Sequence, residues 1–291
     1  SKRIYSSFRI YTELITVSKK SLKRLVPFLI CLIFVFMFLF PFLFTVSTSL
    51  KQPSDVISTQ PRFFPNPISI QNYKDMFEYL TFGKYLANSL IAALVSTVIS
   101  LTVGSLAAYG LSRFRSRLSS FFMYLTLMIR MIPLVCISVP IYSVINKIGL
   151  RDTHIALILV YACIGVPFVI WMMMGFFNGI PRELDEAALV DGCSNLSAFF
   201  RVIVPVAMNG MATTAIFTFL TGLNDFLFAL LITMSGTKTV PVGLSEFLTE
   251  YNIQLGPMAA GAVLFSLPII IISFFIQKRI VKGMTMGAVK G

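Results

Sequence analysis

Charge is scarce in this chain. Of its 291 residues only 12% are Asp, Glu, Lys or Arg, against 56% hydrophobic residues that include 28 Phe. A water-soluble fold of this length could not cover so much apolar surface. One His and four Cys (Cys31, Cys136, Cys163, Cys193) offer no paired metal-ligand spacing and no disulfide framework. No Gly-x-x-x-x-Gly-Lys-Ser/Thr phosphate loop and no His-Glu-x-x-His is present, so neither ATP hydrolysis nor zinc chemistry is expected of this chain. The internal repeat that would mark an inverted-repeat secondary transporter is missing as well.

What is abundant is uncharged apolar sequence. Six runs stand out, at 26–50, 85–111, 118–146, 155–178, 202–233 and 255–277; Arg130 interrupts the third and Asp225 lies inside the fifth. Each exceeds the ~20 residues that one helical crossing of a bilayer needs. None alternates as barrel strands do. The predicted fold is therefore all-α, a polytopic membrane protein with six transmembrane helices. The first run is longer than the roughly 7–15 residues of a signal-peptide core and lacks a small-residue cleavage site after it, so it reads as a retained anchor.

Positive residues set the orientation. Lys2, Arg3, Arg9, Lys19, Lys20, Lys23 and Arg24 precede the first run, Arg113, Arg115 and Arg117 follow the second, and Lys278, Arg279, Lys282 and Lys290 follow the last. With six crossings all fall on one side, which the positive-inside rule makes cytoplasmic. Both termini are then inside, and 51–84, 147–154 and 234–254 face outward. The net charge of +12 is concentrated beside spans, which points to lipid headgroups rather than nucleic acid. The chain divides into a basic N-terminal tail (1–25), a first helix with its outer loop (26–84), a five-helix core (85–277) and a C-terminal tail (278–291).

The loop 179–205 is more organised than a connector requires. Pro181 suits a first helical position, and Glu183, Asp185 and Glu186 place negative charge in the first turns, where the helix dipole favours it. Gly192 stops that helix. Ser194 or Asn195 can cap a second, whose Leu196, Phe199, Phe200 and Ile203 share one face. The loop is acidic on the side that the charge bias would make basic, which implies a protein partner.

Glu186-Ala187-Ala188, then Asp191-Gly192, then Phe199, Ile203 and Pro205 resemble the "EAA" loop of the membrane subunits of binding-protein-dependent ABC importers, in spacing and in position before the penultimate span. The likeness extends through Met131-Ile132-Pro133, Pro140-Ile141-Tyr142 and Gly175-Phe176-Phe177 to Gly287-Ala288-Val289-Lys290-Gly291, and is greatest to the carbohydrate-uptake subgroup, including the smaller membrane subunit of the maltose transporter. It implies a type I ABC importer permease fold in the bacterial cytoplasmic (inner) membrane, and a non-catalytic role in sugar uptake. The implied partners are a second homologous membrane subunit, two ATPase subunits that bind the ATP and Mg, and an extracytoplasmic sugar-binding protein; no cofactor is implied in this chain. Glu186, Ala187, Ala188, Asp191, Gly192 and Phe199 would couple it to the ATPase, and Gly287, Lys290 and Gly291 would reach between the ATPase chains. In the outer loop Pro241, Val242, Gly243 and Leu244 would meet the binding protein.

Arg130, Asn224 and Asp225 are polar groups inside apolar runs. At ~2.5–3.5 kcal/mol for a charge at the bilayer centre they must face protein or water. They are either candidates for a translocation path, or a buried Arg130–Asp225 pair or helix-to-helix hydrogen bonds. The family pattern has Trp-Asn-Glu where Leu223-Asn224-Asp225 stands, so aromatic stacking of a sugar is not expected there. An unpaired Arg130 would fit an acidic sugar. His154, beside Asp152, is expected at the surface. The alternative to an importer subunit is a secondary transporter or channel for a small polar solute.

Overall fold

The computed structural model describes the backbone of residues 2–58, 62–114, 116–248 and 253–288, and the side chains of those between 25 and 274. Helix α1 (Lys2–Ser49) contains the first spanning stretch, Leu25–Ser49, and lies against the last helix. The basic segment expected as a separate tail is continuous with it. Short α2 (Pro53–Val56) and α3 (Gln71–Tyr79) follow, and then the long α4 (Phe82–Arg113).

The third apolar run is not one span. It forms α5 (Arg117–Met131) and α6 (Leu134–Lys147), bent by 96° across Ile132-Pro133. Pro133 lacks an N–H and disfavours a helical Ile132, which is extended here. Helix α7 (His154–Asn178) is continuous, and the loop that follows holds α8 (Glu183–Val190) and the single turn α9 (Asn195–Ala198). A π-helical stretch, Phe199–Ile203, leads into α10 (Val204–Leu223). The fifth run is broken too: it resumes after Asp225 as α11 (Leu227–Ile232). Helix α12 (Val240–Ser245) precedes α13 (Leu255–Ala288), which carries on through most of the expected C-terminal tail. Among the described residues five helices are thus long and apolar enough to cross a bilayer, and the α5–α6 pair supplies a sixth crossing if taken together.

The centre of the bundle is the α4–α7 pair. Ala92, Ser96, Ser100, Gly104 and Ala108 recur every four residues on α4 and are all buried. Lipid offers no hydrophobic push between helices, so association depends on close contact that small side chains allow. A Cβ on Gly104 would stand 2.7 Å from Val169 Cβ, and Ser100 Oγ donates to the Ala162 carbonyl at 3.4 Å. Packing extends from this pair in both directions. Tyr109, Met173, Phe177, Phe199 and Ile203 fill the end nearest the 179–205 loop, while Met76, Phe82, Leu223, Val240 and Phe265 fill the opposite end.

Candidate coupling loop and membrane cavity

Helix α8 is capped by Arg182, so Pro181 lies just outside it rather than at its first position. Glu183, Asp185 and Glu186 occupy its first turn as the dipole argument requires. It ends in a Schellman motif: the Gly192 N–H donates to Leu189 and the Cys193 N–H to Ala188, with Gly192 at φ +85°. Ser194 then caps α9, its hydroxyl accepting from the Ser197 N–H at 3.3 Å. Sequence and structure agree on helix, glycine stop and second helix.

Asp185 does not face outward. Tyr109 donates its hydroxyl to Asp185 Oδ1 at 2.6 Å, and Arg113 Nε lies 2.8 Å from Oδ2. The Arg113 guanidinium also donates to the Phe177 and Ile180 carbonyls at 3.1 and 3.3 Å, and Arg182 donates to the Ser112 carbonyl at 3.2 Å. Part of the acidity that implied a partner is therefore neutralised inside the chain, where it ties α8 to the last turn of α4 and to the end of α7. Tyr109 and Arg113 were missed because nothing local marks residues 76 and 72 positions upstream as partners of Asp185.

The coupling candidates split into two groups. Glu186, Ala187, Asp191 and Gly192 are exposed, whereas Ala188 and Phe199 are buried, at 5% and 2% exposure. Direct docking through Ala188 or Phe199 is excluded in this conformation: Phe199 packs among Tyr109, Phe177 and Phe200, and Ala188 lies on the buried side of α8. Nor do all four expected apolar residues share an inner face. Phe199 and Ile203 point in, while Leu196 and Phe200 are more than half exposed, because the π-helical turn alters the register. With Leu184, Leu189 and Val190 they give the loop an exposed apolar surface beside Glu186 and Asp191.

A cavity of about 380 Å³ lies among α4, the α5–α6 bend, α7 and α10. Arg130, Leu134, Tyr161, Phe168, Thr218 and Asp225 are among its walls. Irregular backbone at membrane depth is tolerated where it lines such a space, and both helix breaks border this one. Arg130 and Asp225 share the cavity but do not pair; the ion pairs among the described residues are Arg113–Asp185 and Lys238–Glu246. Asn224 is exposed, does not line the cavity, and donates to the Leu220 carbonyl at 2.9 Å as the cap of α10.

At the opposite end Asp152, at φ 58°, clasps the segment before α12. Its carboxylate accepts from the Met234, Gly236 and Thr237 N–H groups at 2.9 Å each and from the Thr237 hydroxyl at 2.8 Å. Burial alone would raise this carboxyl, but the hydrogen bonds outweigh it and hold it below the ordinary value. His154, expected at the surface, is half-buried with Nε2 2.9 Å from Asn88 Oδ1, and Asn88 in turn donates to the Lys238 carbonyl at 2.9 Å. Val242, Gly243 and Leu244 are buried in α12 against α4 and α13, so the outer contact expected of them is not available here; Pro241 is half-buried. The helical backbone includes Gly287, whereas Lys290 and Gly291 lie outside the described residues.

Residues 100–286 match the family described as binding-protein-dependent transport system inner membrane component. The chain is 36% identical to the trehalose transport system permease protein SugB of Mycobacterium tuberculosis over 84% of its own length and 90% of that protein. It is 32% identical to the diacetylchitobiose uptake system permease protein DasC of Streptomyces coelicolor, over 84% and 89%. Its fold is similar to a chain of a bacterial ABC transporter that imports the acidic polysaccharide alginate, with a TM-score of 0.72 at 23% identity over 87% of this chain and 95% of that one.

Proposed function

The chain belongs to the inner-membrane components of binding-protein-dependent transport systems, and on that premise we propose that it is one of two membrane subunits of an importer for a sugar or oligosaccharide, driven by a separate ATPase. The observation that carries this reading is the loop 179–205. It presents Glu186, Ala187, Asp191 and Gly192 outward on a platform whose underside is fastened to α4 through Asp185, Arg113 and Tyr109. A surface helix tied in this way moves with the helices beneath it. A push on α8 becomes a displacement of α4 and of α7, its close-packed neighbour, a rigid-body transition of the kind that alternates access.

The remaining parts follow from that role. ATP and Mg are held by two ATPase subunits, whose surface receives the exposed face of the loop. The C-terminal residues Gly287, Lys290 and Gly291 reach the same subunits. A second membrane chain of this family completes the path, which on this side passes Arg130 and Asp225. The orientation of positive residues supports cytoplasmic termini, and the segment clasped by Asp152 then faces the sugar-binding protein, with half-buried Pro241 at the start of α12 the accessible part of that contact. The names of the trehalose and diacetylchitobiose relatives support a carbohydrate as cargo. Phe199 and Ala188 act from inside, holding the loop's shape.

The test is purification of the tagged chain from its own host. A second membrane chain and an ATPase should come with it, and the reconstituted complex should take up a saccharide only with ATP and binding protein present. Uptake by the chain alone in liposomes under an ion gradient would replace this reading with a secondary transporter.

A further inference from the structure

The cavity between the two broken helices contains two opposite charges, and the surroundings of the two differ. Asp225 sits in the α10–α11 break and its Oδ2 accepts the Ala229 N–H, in the first turn of α11, at 3.0 Å; the Phe228 N–H and Tyr161 also face it. Its carboxyl is thus held by groups of its own chain. Arg130 ends α5 just before the Ile132-Pro133 break, and its guanidinium carbon lies 4.6 Å from the centroid of the Phe168 ring. That ring orients a guanidinium without neutralising it, and no carboxylate among the described residues is within ion-pair distance.

A cation set at membrane depth, beside an aromatic ring and open to a cavity, presents the planar donor fork that carboxylates and related oxyanions accept two-pronged. The Thr218 and Thr221 hydroxyls donate to the Thr214 and Phe217 carbonyls at 2.9 and 2.8 Å, which leaves their lone pairs free to accept from sugar hydroxyls.

We propose that this cavity is a subsite for an anionic saccharide, one bearing a carboxylate or a sulfonate, with Arg130 as the residue that takes the charged group. The proposal rests on the importer reading and narrows its substrate class. Asp225 then serves to hold the helix break rather than to neutralise Arg130.

The experiment uses the complete importer with its binding protein in proteoliposomes and follows ATP-dependent uptake of a diuronate, a sulfonated hexoside and trehalose. Wild type should accumulate one of the two anionic probes. Arg130→Gln should lower that uptake about tenfold or more and lower it more than any trehalose uptake, and Arg130→Lys, which keeps the charge but not the fork, should retain only part of it. Three outcomes would overturn the proposal: wild type carrying trehalose alone, Arg130→Gln carrying the anion normally, or Arg130→Gln reducing every probe equally, which would mark Arg130 as a counter-charge for the second membrane chain. Each leaves the importer reading standing. Absence of ATP-dependent uptake of any saccharide would remove both.

Discussion

Arg113 Nε lies 2.8 Å from Asp185 Oδ2, joining the last turn of α4 to the first turn of the exposed loop helix α8. Both side chains are nearly buried, with 10% and 12% of their surface accessible, so this pair is screened little by solvent. Removing one partner of such a pair is far costlier than replacing both, because the survivor is stranded.

Asp185→Ala should therefore lower stability by about 3–5 kcal/mol, visible as an earlier thermal unfolding of the complex in detergent. Asp185→Asn, which retains the acceptor for Tyr109, should assemble and hydrolyse ATP while uptake falls. Normal uptake by Asp185→Asn would show that the joint is structural and passes no motion.

Gly192 stands at φ +85° with open space where a Cβ would go. The Cβ of Gly192→Leu meets nothing within 4 Å, and the left-handed backbone costs it ~1–2 kcal/mol. Membrane insertion should be unchanged and transport lost, through a clash with the docked ATPase or a rotated loop. Uptake at the wild-type rate would remove Gly192 from the docking surface.

Gly104→Leu should act through packing alone. Its side chain would drive into Val169, and overpacking of this kind costs roughly 1–3 kcal/mol. A reduced melting temperature, with residual uptake proportional to folded protein, is expected; an unchanged melting temperature would mean that the α4–α7 interface is loose.

The Asp152 clasp predicts a pH dependence. The folded carboxyl is held below its ordinary value of 3.8, so its contribution is full above that value and is lost as pH falls through the lower folded one. Amides of 234–237 should stay protected from hydrogen exchange down to about pH 4 and open below it. Asp152→Asn should open them at every pH, and protection without a trend would show that the loop is held by other contacts.

Much of this was legible in the chain itself. The apolar runs, the glycine stop at Gly192 and a cap at Ser194 or Asn195 rest on local chemistry; the stop and the Ser194 cap appear where the residues put them, whereas the third and fifth runs are broken. The four-residue recurrence of small residues from Ala92 to Ala108 was there to be seen as well, and would have located the α4–α7 contact. Register through 199–203 was not legible: helical spacing assumes 3.6 residues per turn, and a π-helical turn moves Phe200 outward.

The sequence by itself determined that this is a membrane-embedded helical protein with an organised loop before its penultimate span, because hydropathy, caps and breakers act over a few residues. Tertiary structure alone decided which acid is bound within the chain and which are exposed, that Val242 and Leu244 are interior, and that Arg130 and Asp225 share a cavity without pairing. Those outcomes depend on groups tens of residues apart brought to within a few ångströms, and a spacing along the chain carries no record of such distances.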